Sequence, residues 1–328
     1  MLHDLRPQFL IALIAVIFWA ATVGALHADA DTALLARVHS PILFAGDAQR
    51  AYRDPLLLYA DGQFWLFFSL ATNDRGGLAW WQTAFSKSPD LQHWSEPVTI
   101  TPRDRALNFC SPGSIVCYGG SWVLALQTYP TPSGEKFGND SSRLWLMRSP
   151  DLEHWDKPEL LSFMGPDVPQ EKMPRMIDPC LVADKDEPGK WWCFCKIKQT
   201  GVSMAWSRDL KTWHYEGRVE GGENACVIVQ GGEYVLFHSP ENGIGIKRSN
   251  DLHQWREEGV LTLGQRDWPW AQGRITAGYV FDARTIPGVE CFVMVFHGER
   301  DKASFTAHAS IGIAWSTDLK VWHWPKNR

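Results

Sequence analysis

The sequence predicts an all-β fold, a five-bladed β-propeller closed by an N-terminal strand that completes the last blade. Three observations carry this prediction. A short motif recurs five times, an apolar strand pair of one design precedes each copy, and no helical 3.6-residue pattern of useful length competes after residue 30. A chain of 328 residues is ordinary for a propeller around one axis, so its length does not require two domains.

The recurring motif is Ser-x-Asp-Leu-x-x-Trp. Its five copies begin at Ser88, Ser149, Ser207, Ser249 and Ser316, with intervals of 42 to 67 residues, and each interval has room for four short strands. The Ser and Asp side chains can bond nearby backbone N–H groups in a turn, while Leu and Trp fill the space between neighbouring sheets. We therefore predict a structural turn and give its aspartates no catalytic role.

The strand pairs ahead of the motif consist of an apolar strand, a turn with Gly or Asp, and an aromatic-rich strand. Examples are "PLLLYADGQFWLFFS" at 55–69 and "ACVIVQGGEYVLFHS" at 225–239. Such continuous apolar runs suit strands that are buried on both faces. After Trp322 only "HWPKNR" remains, too short for the last outer strand. The segment "VHSPILFAG" near the N-terminus can supply that strand and close the ring.

The first 30 residues read as a signal peptide, with Arg6 at a polar start, an apolar stretch over 9–26 and a small-x-small site at 28–30. Residues 31–328 then form the propeller catalytic domain of a secreted or periplasmic protein without membrane contact. The alternative is an uncleaved membrane anchor, because 18 apolar residues approach the length that spans a bilayer. The sequence leaves the oligomeric state open.

Charge, composition and cysteine spacing argue against a nucleic-acid partner and against a disulfide between Cys193 and Cys195. The net charge of −5 and the lack of dense Lys/Arg runs leave no basic footprint, so we expect no nucleic-acid partner. The 18 tryptophans suit a β-rich core, a sugar site, or both. Cys193 and Cys195 lie two apart in a predicted strand, too far apart for a relaxed disulfide, so we predict buried thiols.

The innermost strand of each blade begins at the mouth of the central channel, so one position per blade faces the others. When the blades are registered on the turn after the first strand, these positions are Asp54, Pro112, Asp178, Glu223 and Thr276. Three carboxylates that converge in a partly dry cavity repel one another and raise their pKa values. Glycoside hydrolysis uses such a set, with one carboxyl protonating the leaving oxygen and another activating water or attacking the sugar.

Four blade openings resemble, in order, those of glycoside hydrolase family 43 and its five-bladed relatives in families 32, 62, 68 and 117. They are "RDPLLLYADGQFWLFFS", "SPGSIVCYGGSWVLAL", "IDPCLVADKDEPGKWWCF" and "GGENACVIVQGGEYVLFHS". The resemblance covers residues 40–328. It implies Asp54 as the general base, Asp178 as the residue that orients and tunes the acid, and Glu223 as the general acid. We expect Glu223 to be kept protonated by its carboxylate neighbours and Asp54 to be ionised.

The resemblance implies an exported glycosidase that acts on oligo- or polysaccharides, with inversion of configuration. A family 32-type retaining enzyme is less favoured, because the first blade lacks Asn-Asp-Pro, the third lacks Arg-Asp-Pro, and no trailing β-sandwich fits after Trp322. A sialidase is disfavoured because every motif copy has Leu directly after Asp. The non-enzymatic alternative is a carbohydrate-binding or scaffold propeller.

Several further residues are candidates for the site. Asn108 and Phe109 precede the mouth of the second blade, and Arg274 precedes that of the fifth, so these three are predicted to contact substrate. His297 is predicted as a substrate contact, as a structural histidine, or as a contact of a structural calcium ion through waters, because family members can place a histidine there. No cofactor is required.

Other candidates could form the walls and roof of the site. Stacking walls could come from four tryptophans, Trp80, Trp81, Trp268 and Trp270. The loop 163–176 is a candidate roof over the pocket.

Overall fold

The computed structural model describes residues 34–197, 201–301 and 305–325. The predicted signal peptide at 1–30 lies outside these residues. In the part of the chain that is described, no helix has the length and apolar character needed to cross a bilayer.

Five four-stranded antiparallel sheets form a ring of blades, which confirms the predicted five-bladed β-propeller. Blade one contains β2 (Arg50–Ala60), β3 (Gln63–Asn73), β4 (Ala79–Ser88) and β5 (Val98–Thr99). Blade two contains β6 (Phe109–Tyr118), β7 (Ser121–Thr128), β8 (Leu144–Ser149) and β9 (Glu159–Leu160). Blade three contains β10 (Met176–Ala183), β11 (Trp191–Ile197), β12 (Val202–Ser207) and β13 (His214–Val219).

Blade four contains β14 (Glu223–Gln230), β15 (Glu233–Ser239), β16 (Ile244–Ser249) and β17 (Arg256–Leu261). Blade five contains β18 (Arg274–Asp282), β19 (Phe292–Glu299), β20 (Ser310–Ser316) and, as its outer strand, β1 (Ile42–Phe44). Four 3-10 helices lie at Leu35–Arg37, Gln170–Lys172, Gln265–Asp267 and Pro269–Ala271. The inner strands β2, β6, β10, β14 and β18 contact one another in cyclic order, so the ring is closed.

The N-terminal strand closes the ring as predicted. Ile42 pairs with Gly312 of β20 in antiparallel register. The ring of Phe44 lies 5.3 Å from those of Tyr52 and Phe68 in blade one. Strand β1 therefore joins the last blade to the first.

The hydrophobic core lies between neighbouring blades rather than in one central layer. One cluster joins blade five to blade one, with Val293 and Ile311 against Leu57 and Leu66, all fully buried. Similar clusters lie at the other blade interfaces. The inner strands thus present continuous apolar faces on both sides, as their sequence predicts.

The recurring motif forms the predicted turn in every blade. In blade four, Asp251 Oδ1 accepts hydrogen bonds from the backbone N–H groups of His253 and Gln254. The buried motif leucine has a left-handed backbone in all five copies, with φ of 54° to 68°. The Trp indole donates to the carbonyl of that leucine in four copies, whereas the buried Nε1 of Trp213 lacks a partner among the described residues.

All seven cysteines are free, and Cys193 and Cys195 are buried thiols as predicted. Two other buried thiols link inner strands. Cys180 Sγ accepts the N–H of Val227 at 3.4 Å, and Cys226 Sγ accepts the N–H of Val280 at 3.3 Å. These small polarisable side chains thus satisfy backbone donors at the blade interfaces.

Candidate active site

Each inner strand carries a β-bulge near the central channel, where its pairing register with the second strand shifts. The backbone of one residue in each bulge is left-handed, with φ of 47° to 59° at Asp54, Ser111, Asp178, Asn224 and Ala277. These five residues line a cavity of about 30 Å³ between the inner strands. Left-handed backbone is uncommon outside glycine, so its recurrence identifies the equivalent position of the five blades.

The predicted mouth positions of blades one and three are confirmed. The other three are wrong by one residue, because the equivalent residues are Ser111, Asn224 and Ala277 rather than Pro112, Glu223 and Thr276. The blade-two bulge contains one residue more than that of blade one, and counting from the turn did not account for it.

Glu223 lies one residue before the bulge and still pairs with Ser239 of β15. The error in blade four came from its turn, since Gly232 and not Gly231 corresponds to Gly62 of blade one. From this position, the Glu223 carboxylate contacts Lys196 of blade three and Arg274 of blade five.

The three predicted catalytic carboxylates nevertheless meet in one cavity. A cavity of about 70 Å³ is lined by Asp54, Asp178 and Glu223, together with Trp81 and Gln127. It adjoins a larger cavity of about 1060 Å³, and the two share five lining residues: Arg53, Tyr129, Ile177, Glu223 and Phe305. A deep acidic pocket below a wide cavity can hold one sugar unit at the carboxylates and further units above it.

Asp54 is held in a defined orientation by three side chains. Its Oδ2 accepts hydrogen bonds from the hydroxyls of Ser69 and Ser111, each at 2.9 Å. Its backbone N–H donates to His297 Nδ1 at 3.1 Å. Because Oδ2 has two donors, Oδ1 is the oxygen available for chemistry.

Asp178 is nearly buried, with 7% of its surface exposed. Its N–H donates to Gln127 Oε1, and its Oδ2 accepts the N–H of Asn224 at 3.2 Å. Burial, followed by the charges of Glu223 and Asp54, raises the pKa of Asp178 to about 7. Asp178 is therefore partly protonated at neutral pH.

Glu223 has the opposite surroundings. Lys196 Nζ lies 2.7 Å from its Oε2, and Arg274 Nη2 lies 2.8 Å from its Oε1. Burial raises the pKa of Glu223, but Lys196 and then Arg274 outweigh it, and the pKa lies at about 2. The expectation that neighbouring carboxylates keep Glu223 protonated is therefore wrong. It considered only the carboxylates, whereas Lys196 and Arg274 contact Glu223 directly.

A largely buried ion pair next to Asp54 forms part of the wall of the larger cavity. Arg53 Nη1 contacts Glu299 Oε1 at 2.7 Å, with both side chains less than 10% exposed. His297 is fully buried, and its Nε2 lies 3.9 Å from Glu299 Oε1. His297 lines neither cavity, its Nδ1 accepts the N–H of Asp54, and its buried Nε2 has no hydrogen-bond partner among the described residues. Its predicted roles as a substrate or calcium contact stay predictions.

No group of three or more His, Cys, Asp or Glu side chains within the described ranges is arranged to hold a metal ion. A structural calcium ion stays a prediction.

Of the other predicted substrate contacts, only Arg274 lines one of these three cavities. Asn108 is fully buried, with its Oδ1 accepting Trp81 N–H and its Nδ2 donating to the carbonyl of Tyr129. Phe109 packs its ring against Trp145 at 5.5 Å. Asn108 therefore supports two residues of the cavity wall, Trp81 and Tyr129, instead of facing the cavity, because its amide is hydrogen-bonded to their backbone groups and to the Thr131 hydroxyl.

Among the candidate stacking tryptophans, only Trp81 lines a cavity. Trp268 and Trp270 stack on each other at 5.2 Å in the core between blades four and five. The loop 163–176 contributes four residues to the wall of the larger cavity: Glu171, Met173, Pro174 and Arg175.

Sequence reasoning missed Arg53, Lys196 and Glu299. Arg53 directly precedes Asp54, so its position beside the site was readable from the sequence. Lys196 pairs with Ile177, the residue before Asp178, across β10 and β11. This pairing places Lys196 in the wall of the cavity that Glu223 also lines. No local pattern reveals such a pairing.

The sequence matches the model of a known protein family. The family model described as "Glycosyl hydrolases family 32 N-terminal domain" matches residues 52–235, more than half of the chain. The chain belongs to this family. The missing family 32 motifs therefore do not exclude membership of this family, and the resemblance to the five-bladed glycoside hydrolases is confirmed.

Solved structures of glycoside hydrolases share the fold of this family member at low identity. An alpha-L-arabinofuranosidase from Podospora anserina is 12% identical with a TM-score of 0.59, covering 84% of this chain and 94% of its own. A family 117 glycoside hydrolase from Zobellia galactanivorans is 15% identical with a TM-score of 0.60, covering 81% and 85%. A GH43_1 enzyme from Xanthomonas citri is 11% identical with a TM-score of 0.58, covering 90% and 96%. A comparison with curated proteins gives no match.

Proposed function

We propose that this glycoside hydrolase propeller cleaves O-glycosidic bonds of an oligo- or polysaccharide by acid/base catalysis at Asp54, Asp178 and Glu223. One observation carries the proposal. Three carboxylates from three blades line one cavity, and their surroundings shift the pKa values of Asp178 and Glu223 in opposite directions. Carboxyl groups with separated pKa values are typical of glycosidase sites. In the free enzyme the raised pKa belongs to Asp178 and the lowered pKa to Glu223, so in this proposal the proton moves from Asp178 to Glu223 when substrate binds.

Asp54 acts as the base in this proposal. Its Oδ1 takes a proton from a water molecule, whose oxygen forms a bond to the anomeric carbon. Glu223 donates a proton to the glycosidic oxygen as the bond between that oxygen and the anomeric carbon breaks. One water is consumed and one proton passes in effect from Glu223 to Asp54, with exchange through solvent restoring both groups.

The stereochemical outcome depends on whether Asp54 activates water or attacks the sugar itself. We propose inversion, with water as the nucleophile. The family 32 match favours the second course, in which Asp54 forms a covalent glycosyl intermediate and configuration is retained. Proton NMR of the first product anomer separates the two.

We also propose that the enzyme acts outside the cytoplasm. The segment 1–30 is then an export signal or a membrane anchor. The apolar stretch over 9–26 and the small-x-small site at 28–30 support this proposal. Mass spectrometry of the N-terminus of the exported protein tests it.

Hydrolysis assays test the catalytic assignment. Wild type is screened against plant and algal oligosaccharides and aryl glycosides, together with Asp54→Asn and Glu223→Gln. We expect each substitution to lower kcat by about 100- to 10,000-fold, because each removes one proton transfer. The exposed Asp156 supplies the matched control Asp156→Asn, which should keep wild-type activity. Equal activity of wild type and the Glu223 variant would end the assignment, and sugar binding without turnover would favour a binding propeller.

A further inference from the structure

Glu223 is bound by two cations although it carries one negative charge. Lys196 Nζ contacts one of its oxygens and Arg274 Nη2 the other. Each of the three side chains is between 23% and 25% exposed, so all are partly withdrawn from water. Glu223 alone therefore does not neutralise both cations, and Asp178, the other carboxylate on which the charge of Lys196 acts, has a raised pKa.

The larger cavity contains another cation with free bonding capacity. Arg175 donates its Nε–H to the carbonyl of Gly138, and its guanidinium lies 5.6 Å from the ring of Tyr129. It forms no ion pair with a carboxylate in the described ranges. Asp140, Glu171 and Glu241 also line this cavity, but all three are exposed, whereas Arg175, Lys196 and Arg274 are half-buried.

Half-buried cations that share one counterion, as Lys196 and Arg274 do, or have none, as Arg175, favour an anionic ligand, because its charge replaces lost hydration. Sugar hydroxyls are neutral and compete poorly with Glu223 for Lys196 and Arg274. A carboxylate or a sulfate group competes directly, and its several oxygens can bind both cations at once.

We propose that the substrate carries a negative group, a carboxylate or a sulfate, beside the scissile bond, and that this group binds Lys196 and Arg274. The inference rests on the proposed function, since it names the substrate class of the same site. It also explains why a general acid is ion-paired at all. A substrate anion draws both cations away from Glu223, whose pKa then rises through burial and the approach of the new negative charge. Glu223 thereby gains its proton only when the correct substrate is bound.

The test uses matched substrate pairs. Initial rates are measured on uronic acid-containing oligosaccharides and their carboxyl-reduced counterparts, and on sulfated oligosaccharides and their desulfated counterparts. Wild type is compared with Lys196→Met and with the control Lys211→Met, which removes an exposed lysine in the motif turn of blade three. The two pairs also distinguish a carboxylate from a sulfate.

We expect wild type to prefer one anionic substrate over its neutral counterpart by about tenfold or more in kcat/KM, the value of one charge-assisted hydrogen bond. Lys196→Met should lose most of this preference through a higher KM for the anionic substrate, while Lys211→Met retains it. Added salt should weaken only the anionic reaction. Equal cleavage of both members of each pair overturns the inference and leaves the proposed function standing.

Calorimetric binding of the same oligosaccharides separates the two proposals if no glycan is cleaved. Tighter binding of an anionic member, weakened by Lys196→Met, supports the anion site even though the proposed hydrolysis has failed. Binding that is indifferent to the charge of the sugar or to Lys196 contradicts the anion site.

Discussion

Asp178 and Glu223 lie in one cavity in opposite electrostatic surroundings. Asp178 is nearly buried and faces two negative charges, whereas Glu223 faces Lys196 and Arg274. The proton shared by this pair therefore lies on Asp178 when Lys196 and Arg274 are bound to Glu223. Catalysis by Glu223 requires that distribution to reverse when substrate binds.

The raised pKa of Asp178 predicts a pH-dependent stability difference. Between about pH 4 and pH 7 Asp178 keeps a proton in the folded protein that it has lost in the unfolded chain, so the contribution of Asp178 to the free energy of unfolding falls as pH rises. Asp178→Asn does not titrate, and its free energy of unfolding should rise relative to wild type by up to about 1.4 kcal/mol per pH unit. Urea unfolding at several pH values measures this difference.

Titrating groups that do not interact with Asp178, including His238 with a pKa lowered by burial to about 4, cancel in that difference because both proteins contain them. Asp156→Asn serves as the exposed control and should show a constant difference from wild type. A difference that is flat from pH 4 to pH 7 for Asp178→Asn contradicts the assigned protonation.

The buried pair of Arg53 and Glu299 predicts a large loss of stability on substitution. Glu299→Gln leaves the Arg53 charge buried without a counterion, and we expect a loss of about 3–5 kcal/mol in the free energy of unfolding. Glu187→Gln removes an exposed pair with Arg208 and should cost about 1 kcal/mol or less. Similar losses in the two variants would contradict a large contribution of the buried Arg53–Glu299 pair to stability.

At the scale of the element, motif turns and strand pairs were predictable because their signals are local. The five turns depend on residues within one motif, and the inner strands depend on continuous apolar runs. The bulges were not predictable, because a bulge gains or loses a residue without changing the apolar pattern around it. Glu223 was thereby identified as a candidate while its place one residue before the bulge was missed.

The contacts of β1 with blade one predict a loss of stability when the closure of the ring is weakened. Phe44 packs against Tyr52, Phe68 and Trp94 of blade one. Because Phe44 is partly exposed, Phe44→Ala should cost about 2–3 kcal/mol, near the lower end for buried aromatics. Val98→Ala, at a half-exposed site in the outer strand of blade one, should change stability by less than about 1 kcal/mol. Chemical denaturation measures both, and an unchanged Phe44 variant would mean that β1 is dispensable for closure.

At the scale of the whole molecule, the ring brings together residues that are far apart in the chain. Asp54, Asp178 and Glu223 come from blades one, three and four, and the cations around Glu223 come from blades three and five. The repeat count predicts the ring and therefore the meeting of the carboxylates. It does not predict which side chains of neighbouring blades touch, and for that reason Lys196 and Glu299 emerged only from the structure.

The most direct test of the catalytic claim is a crystal structure of Glu223→Gln with an oligosaccharide that wild type cleaves. The account predicts that the scissile oxygen lies about 3 Å from the side chain at position 223, with the anomeric carbon facing Asp54 Oδ1. A sugar bound away from these side chains, while wild type still cleaves it, would contradict the account.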